Sequence, residues 1–223
     1  MIVSHSNKFI YIKGVKVAST STEIFFEQFC NEKDIIGYRG KHPIPDGCEW
    51  YNHMNPQQIK EKLNNDHVWK EYFKFGCIRN PWDRVVSEYF WLKEKLKYDP
   101  YWYKRTDKWK LEVEMLVKLP FEDYCTQRTI RQSFFCLSLY KFYRLDKYHI
   151  DFFIRFEHLY DDIQIACDKL SLNCDISTLL HQQKSNHKHY TEYYTDETRN
   201  QIAKTYKDDI DFFNYKFGDY TYD

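Results

Sequence analysis

Phe73-Lys74-Phe75-Gly76-Cys77-Ile78, running straight into Arg79-Asn80-Pro81-Trp82-Asp83-Arg84-Val85-Val86-Ser87, is the stretch on which the fold turns. Its first six residues read as a buried strand. Asn80, Pro81 and Asp83 then spell a helix start: a capping side chain, a proline at the first helical position and an acid at the third. The same order occurs near the N-terminus, where Phe9-Ile10-Tyr11-Ile12 precedes Lys16-Val17-Ala18-Ser19-Thr20-Ser21. A helix N-terminus offers unpaired N–H groups and partial positive charge, so each strand–turn–helix unit is a candidate anion site. Two such sites predict a ligand phosphorylated at two places.

The pattern continues outward. Phe9 to Lys13 is a buried strand and Thr20 to Cys30 the helix after it. Residues 41–47, with two prolines and a glycine, form a loop. Asn55 caps a short helix through Leu63, with Pro56 at its first position. The helix after Asn80 runs to about Lys97. Phe152 to Phe156 is a third strand, and the helix after it sets Leu159, Ile163, Cys167 and Leu170 on one face. Thr195 precedes a helix whose Ile202, Tyr206, Ile210 and Phe213 form one stripe. Strands alternating with helices predict an α/β fold: a single domain over residues 1–223 with a central, mostly parallel sheet flanked by helices. Residues 93–131, dense in Lys, Tyr and Trp, fit least well. They read as a helical insert, either shaping an acceptor cleft or simply adding a solvated layer.

Length and composition agree with one domain. The chain has 223 residues, 43% of them hydrophobic and 30% charged, as in a water-soluble globular protein. No window approaches the roughly 18 apolar residues of a membrane span, and residues 1–8 do not resemble a secretion signal. Thirty-three Lys and Arg balance thirty-three Asp and Glu, so no global field points to nucleic acid or a membrane surface, and an anion must be held by local groups. Seven cysteines with no C-x-x-C pair read as reduced, mostly buried thiols.

The first loop is almost a P-loop. In G-x-x-x-x-G-K-[ST], Gly14 and Ser21 fit the ends, but Ser19 replaces the second glycine and Thr20 the lysine. Lys16 is the only lysine in the loop, and it lies three residues before the second-glycine position. A hydroxyl-rich helix start with one cation suits a 5′-phosphate bearing a transferable group better than a triphosphate. In the second unit, Arg79 ends a strand where a guanidinium can take phosphate in bidentate fashion. Ser87, two helical turns on, lies on the same face as Asp83 and Arg84.

These segments resemble the sulfotransferases that use 3′-phosphoadenosine-5′-phosphosulfate (PAPS), particularly the carbohydrate sulfotransferase type with bacterial and viral members. In that family the first loop (here Lys16, Val17, Ala18, Ser19, Thr20 and Ser21) binds the 5′-phosphosulfate, and an R-N-P-x-D-R-x-x-S segment (here Arg79 to Ser87) binds the 3′-phosphate. Ile154-Arg155-Phe156-Glu157-His158-Leu159 and the run from Asp209 to Phe217 resemble its later strand and closing helix. Ala18-Ser19 stands where many members have glycine. The resemblance implies a P-loop-like nucleotide site and transfer of a sulfuryl group from PAPS to a hydroxyl, on a carbohydrate or glycolipid, leaving adenosine 3′,5′-bisphosphate. No metal, nucleic acid or membrane span is expected, and the enzyme would be cytoplasmic, from a bacterium or virus.

Sulfuryl transfer needs a base for the acceptor proton and a cation near the departing phosphate oxygen. The resemblance gives Lys16 the second role. Among nine histidines, His53 lies between the two phosphate segments, just before a short helix, where family members place a histidine near the acceptor. It is either that base or a histidine that hydrogen-bonds loop backbone, with His42 next in line. His187 and His189 alone make weak metal ligands, and Lys184, His187 and Lys188 read as a basic loop. Trp91, Trp102 and Tyr103 are candidates for sugar stacking, and Gln132 for a polar contact. Two other readings stay open: an ATP- and Mg²⁺-dependent P-loop-like kinase, and an inactive nucleotide-binding scaffold.

Overall fold

The computed structural model describes residues 1–40, 44–98, 114–116, 118–130, 137–180 and 187–219. Five strands form one sheet: β1 (Ile2–Ser4), β2 (Phe9–Ile12), β3 (Ile35–Ile36), β4 (Phe73–Ile78) and β5 (Phe152–Arg155), in the order β3-β1-β2-β4-β5. β1 is antiparallel to both its neighbours, while β2, β4 and β5 pair in parallel, so four of the five strands point the same way. The sheet is thus mixed and mostly parallel, as the strand–helix alternation predicts. All four residues of β2 are buried, the mark of a strand covered on both faces.

Helices α1 (Ser19–Glu27), α2 (Pro56–Leu63), α3 (Asp66–Glu71), α4 (Pro81–Tyr98), α5 (Phe121–Ile130), α6 (Leu139–Tyr143), α7 (Leu159–Lys169), α8 (Asp196–Thr205) and α9 (Lys207–Phe213) connect and cover the strands. A capping box between Asn55 and Gln58, with Pro56 behind it, starts α2 where the sequence places it. The helix expected through Ile202, Tyr206, Ile210 and Phe213 is instead two, broken at Tyr206. Tyr206 is buried and bonded to Arg128, so a tertiary contact, not helix periodicity, sets its backbone.

From β2 the chain crosses to the β3 edge, and from β4 it goes to β5 on the other side. The two connections diverge at the β2–β4 boundary, the switch point at which open α/β sheets bind ligands beyond their strand ends. One core lies on the sheet, built from Phe9, Tyr11, Phe26, Phe75, Ile154 and their neighbours. A second packs α4, α5 and α8 together around Trp82, Tyr89, Tyr124 and Ile202. The second core encloses charge: Arg128 pairs with Glu88 (2.5 Å), and Tyr124 donates to the same carboxylate (2.8 Å). Within the region read as an insert, α4 continues through Tyr98 and residues 114–116 are helical. The six described cysteines are free thiols, Cys77, Cys125 and Cys167 buried and Cys30, Cys48 and Cys174 half-buried.

Candidate active site

The turn between β2 and α1 is shaped by its backbone. Lys16 and Ala18 are both left-handed (φ 59° and 56°), while Val17 between them is not. Alternation of this kind turns successive amides towards one side, the geometry of an anion-binding nest. Ala18 caps α1 with no side-chain bond, and no acid sits in the first turn, so the positive end of the helix has no counter-charge there. The loop is braced from behind. Ser19 Oγ donates to the Gly14 carbonyl (2.6 Å), and the Tyr11 hydroxyl donates to the Ser19 carbonyl (2.9 Å). Val17 is buried in the sheet core and anchors the turn, Ser21 is buried, and Thr20 is half-buried.

Lys16 is half-buried and lays its ammonium 4.7 Å from the centre of the Trp91 ring. Burial of the ammonium, followed by the charge of Arg79, brings its pKa from 10.5 down to about 7. Lys16 therefore lies within the field of Arg79, which the sequence separates from it by a whole β-α-β excursion. Parallel pairing of β2 with β4, Ile12 opposite Gly76, accounts for that proximity. Tyr143 seals the seam: its hydroxyl is 2.8 Å from the Cys77 carbonyl and 3.4 Å from that of Ile12. A Cβ on Gly76 would come within 2.5 Å of that hydroxyl, and one on Gly14 within 2.8 Å.

The second turn is built differently. Arg79 is buried, its Nε and Nη2 held by Asp83 at 2.6 and 3.0 Å and its guanidinium 3.8 Å from the Phe156 ring centre. Asp83 occupies one edge of the fork, so a phosphate would take the edge formed by Nη1 and Nη2. Two N–H groups of the helix start are already taken. Glu157 accepts the Asn80 N–H (2.5 Å), Asn80 Oδ1 accepts the Trp82 N–H (3.1 Å), and Pro81 has none to give. Those two amides are therefore not open to an anion, which shifts the expected binding at this turn towards side chains. Ser87 is buried on α4, two turns in. Burial lifts the Glu157 carboxyl to about 7, against the lowering by the Asn80 N–H and Arg79. Asp83 was legible four residues from Arg79, a helical ion-pair spacing; Glu157, on another strand end, was not.

His53 has its Nδ1 3.1 Å from the Lys13 carbonyl. A carbonyl only accepts, so Nδ1 carries the proton and Nε2 the lone pair. Burial and the Lys13 ammonium hold the imidazole at about 4, so it is neutral at pH 7. The contact with loop backbone anticipated as the simpler reading is present, and it fixes the tautomer that a base requires. Lys13 is itself buried, its ammonium bound to Glu23 (2.7 Å) and Asn52 (3.2 Å).

His187 stacks on Phe90 of α4 (5.5 Å between centroids) and Lys188 pairs with Glu192. His42, Trp102, Tyr103, Gln132 and Lys184 lie outside the described residues. Among the described residues, no three His, Cys, Asp or Glu side chains are grouped to hold a metal ion, and no helix is long and apolar enough to cross a membrane.

A model of the sulfotransferase family matches residues 1–216, and the chain belongs to that family. The match spans both turns, His53 and Glu157. Its chemistry is sulfuryl transfer to a hydroxyl acceptor. Neither the curated proteins nor the solved structures contain a match to this chain.

Proposed function

We propose that the protein transfers the sulfuryl group of PAPS to a carbohydrate hydroxyl. The observation that carries this reading is the placement of Lys16 and Arg79: two cations just beyond the ends of the paired strands β2 and β4, where the charge of Arg79 adds to burial in lowering the ionisation of Lys16. A pair of anionic groups on one small ligand removes that repulsion. The nest at Lys16, Val17, Ala18, Ser19, Thr20 and Ser21 holds the 5′-phosphosulfate, and Arg79 with Ser87 the 3′-phosphate.

The donor supplies an activated sulfate on a phosphate leaving group. His53 Nε2 takes the proton from the acceptor hydroxyl as that oxygen bonds to sulfur. Lys16 holds the negative charge left on the 5′-phosphate oxygen when the S–O bond to it breaks. Its lowered pKa rises again beside bound phosphates, so the ammonium is charged when it is needed.

The test is a screen with sulfur-labelled PAPS against sugars, glycolipids and small alcohols, with and without chelator. Label on a sugar hydroxyl, unaffected by removal of Mg²⁺, is the expected result. Phosphate transfer from ATP that needs Mg²⁺ would replace this reading with a kinase. Tight binding of adenosine 3′,5′-bisphosphate with no transfer to any acceptor would make the chain a scaffold.

A further inference from the structure

Trp91 stands one helical turn beyond Ser87 on α4, so the two share a face of that helix. As a sequence it reads as a sugar-stacking aromatic. In the structure its ring is engaged by Lys16 Nζ at 4.7 Å, a distance at which the negative face of an indole attracts an ammonium. Four charges act on that ammonium: Arg79 and Lys95 repel it, while Glu88 and Glu94 attract it. All but Arg79 are carried by α4, the helix that also presents the indole. The Lys16 backbone is left-handed, which fixes where its stem leaves the loop, but four carbons of flexible chain would still scatter the charge. A cation resting on a ring is approached by that ring from one side only. That leaves N–H groups on its other side for a ligand.

We infer that Trp91 is a positioning residue: its indole is the platform that holds the Lys16 ammonium over the first turn, aimed at the donor's 5′-phosphate. The inference rests on the role proposed for Lys16. It also explains why Ser87 and Trp91 are one turn apart, since a single helix face then serves both phosphates.

The experiment measures binding of adenosine 3′,5′-bisphosphate to the full chain by calorimetry between pH 6 and 9. Variants are Trp91→Phe, Trp91→Leu and Lys16→Ala, with thermal midpoints recorded for each. At pH 6 Trp91→Leu should bind about tenfold more weakly (~1.4 kcal/mol), and Trp91→Phe, which keeps a ring face, should bind within about threefold of wild type. The wild type should lose affinity as pH rises through about 7, where Lys16 gives up its proton. Without the indole face the charged form of Lys16 loses an attraction, so in Trp91→Leu that loss should move to lower pH. A tryptophan that only packed would lower the thermal midpoint and leave the pH midpoint where it was. If Trp91→Leu does not fold, Trp91→Met, which keeps bulk without a ring, takes its place. Lys16→Ala separates the two ideas. Wild-type binding by Lys16→Ala would overturn the assigned role of Lys16 and this inference with it. Weakened binding by Lys16→Ala, with neither affinity nor pH midpoint changed in the Trp91 variants, would overturn this inference alone.

Discussion

At the start of α1 the cap is an alanine in left-handed conformation, with no side-chain bond and no acid in the first turn. At the start of α4 the corresponding groups are an asparagine, an aspartate at the third position and a glutamate that takes the cap's own N–H from 77 residues away. The first helix leaves its positive end to an incoming anion. The second uses its positive end internally and places a guanidinium in front instead, clamped by Asp83 and Phe156. Under the proposed function, a 5′-phosphosulfate and a 3′-phosphate would meet two kinds of site, one made of backbone and one of side chains. The first should respond to changes in loop conformation and helix-end charge, and the second to loss of single residues.

Removing the guanidinium should give the largest effect. Arg79→Ala should weaken adenosine 3′,5′-bisphosphate by about 10³-fold, two charge-assisted bonds at ~2 kcal/mol each, while AMP binds nearly as before. It also leaves Asp83 buried without a partner, a destabilisation of roughly 3–5 kcal/mol. Asp83→Ala in the same chain should restore stability and not affinity. Calorimetry showing equal losses for AMP and the bisphosphate would erase the difference between the two sites.

His53 is tied to the chain just before the first turn by its bond to the Lys13 carbonyl. His53→Ala should lower kcat about 10²-fold, at the lower end for a general base because burial has weakened the imidazole. In the free enzyme the base should stay unprotonated down to about pH 4, so kcat/KM should fall only below that value. Initial rates with an acid limb near 6.5 would mean an exposed histidine and a different base.

Ala18→Asp makes the first helix start resemble the second. Aspartate tolerates the left-handed conformation and should cap α1, raising stability by roughly 0.5–1 kcal/mol. Its charge should oppose the 5′-phosphate and weaken AMP by about tenfold. Unchanged AMP affinity would take the phosphate away from this turn.

Glu157→Gln should have the smallest effect. The carboxyl ionises as pH rises through about 7, and its charge then opposes the 3′-phosphate. The advantage of bisphosphate over AMP should shrink about threefold more between pH 6 and 8 in wild type than in the variant. Stability carries the same signature. Folding raises this carboxyl from 4.5 to about 7, so its contribution is complete below pH 4.5 and lost as pH rises through 7. Thermal midpoints of Glu157→Gln should lack that slope.

Much of this was legible before any coordinates. β2, β4 and β5 are apolar runs that end in turn chemistry, and the helices after them carry caps or periodic faces. The parallel sheet that brings Lys16 to Arg79 follows from that alternation. β1 and β3 were not legible, because three and two residues are too few for any periodicity. α3 buries only Trp69 and shows no stripe. The wiring of the second turn was half legible: Asp83 announces itself by spacing, whereas Glu157 is joined to Asn80 only by the pairing of β4 with β5. Lys16 on Trp91 was hidden for the same reason, since a loop and the third turn of a distant helix meet only in space.

Tyr143 fixes more than a seam. Its ring lies flush against Gly14 and Gly76, and its hydroxyl reaches the carbonyl where β4 ends. A methyl on either glycine would strike the phenol, and loss of the phenol would leave two glycines facing a hole. Three positions scattered over the chain should therefore behave as a single unit of inheritance. Across relatives they should be kept together or replaced together, and a natural sequence with one changed alone should show a compensating change at the others. The gap between the two phosphate turns would then be a property that descends with that trio, separate from the residues that touch the nucleotide.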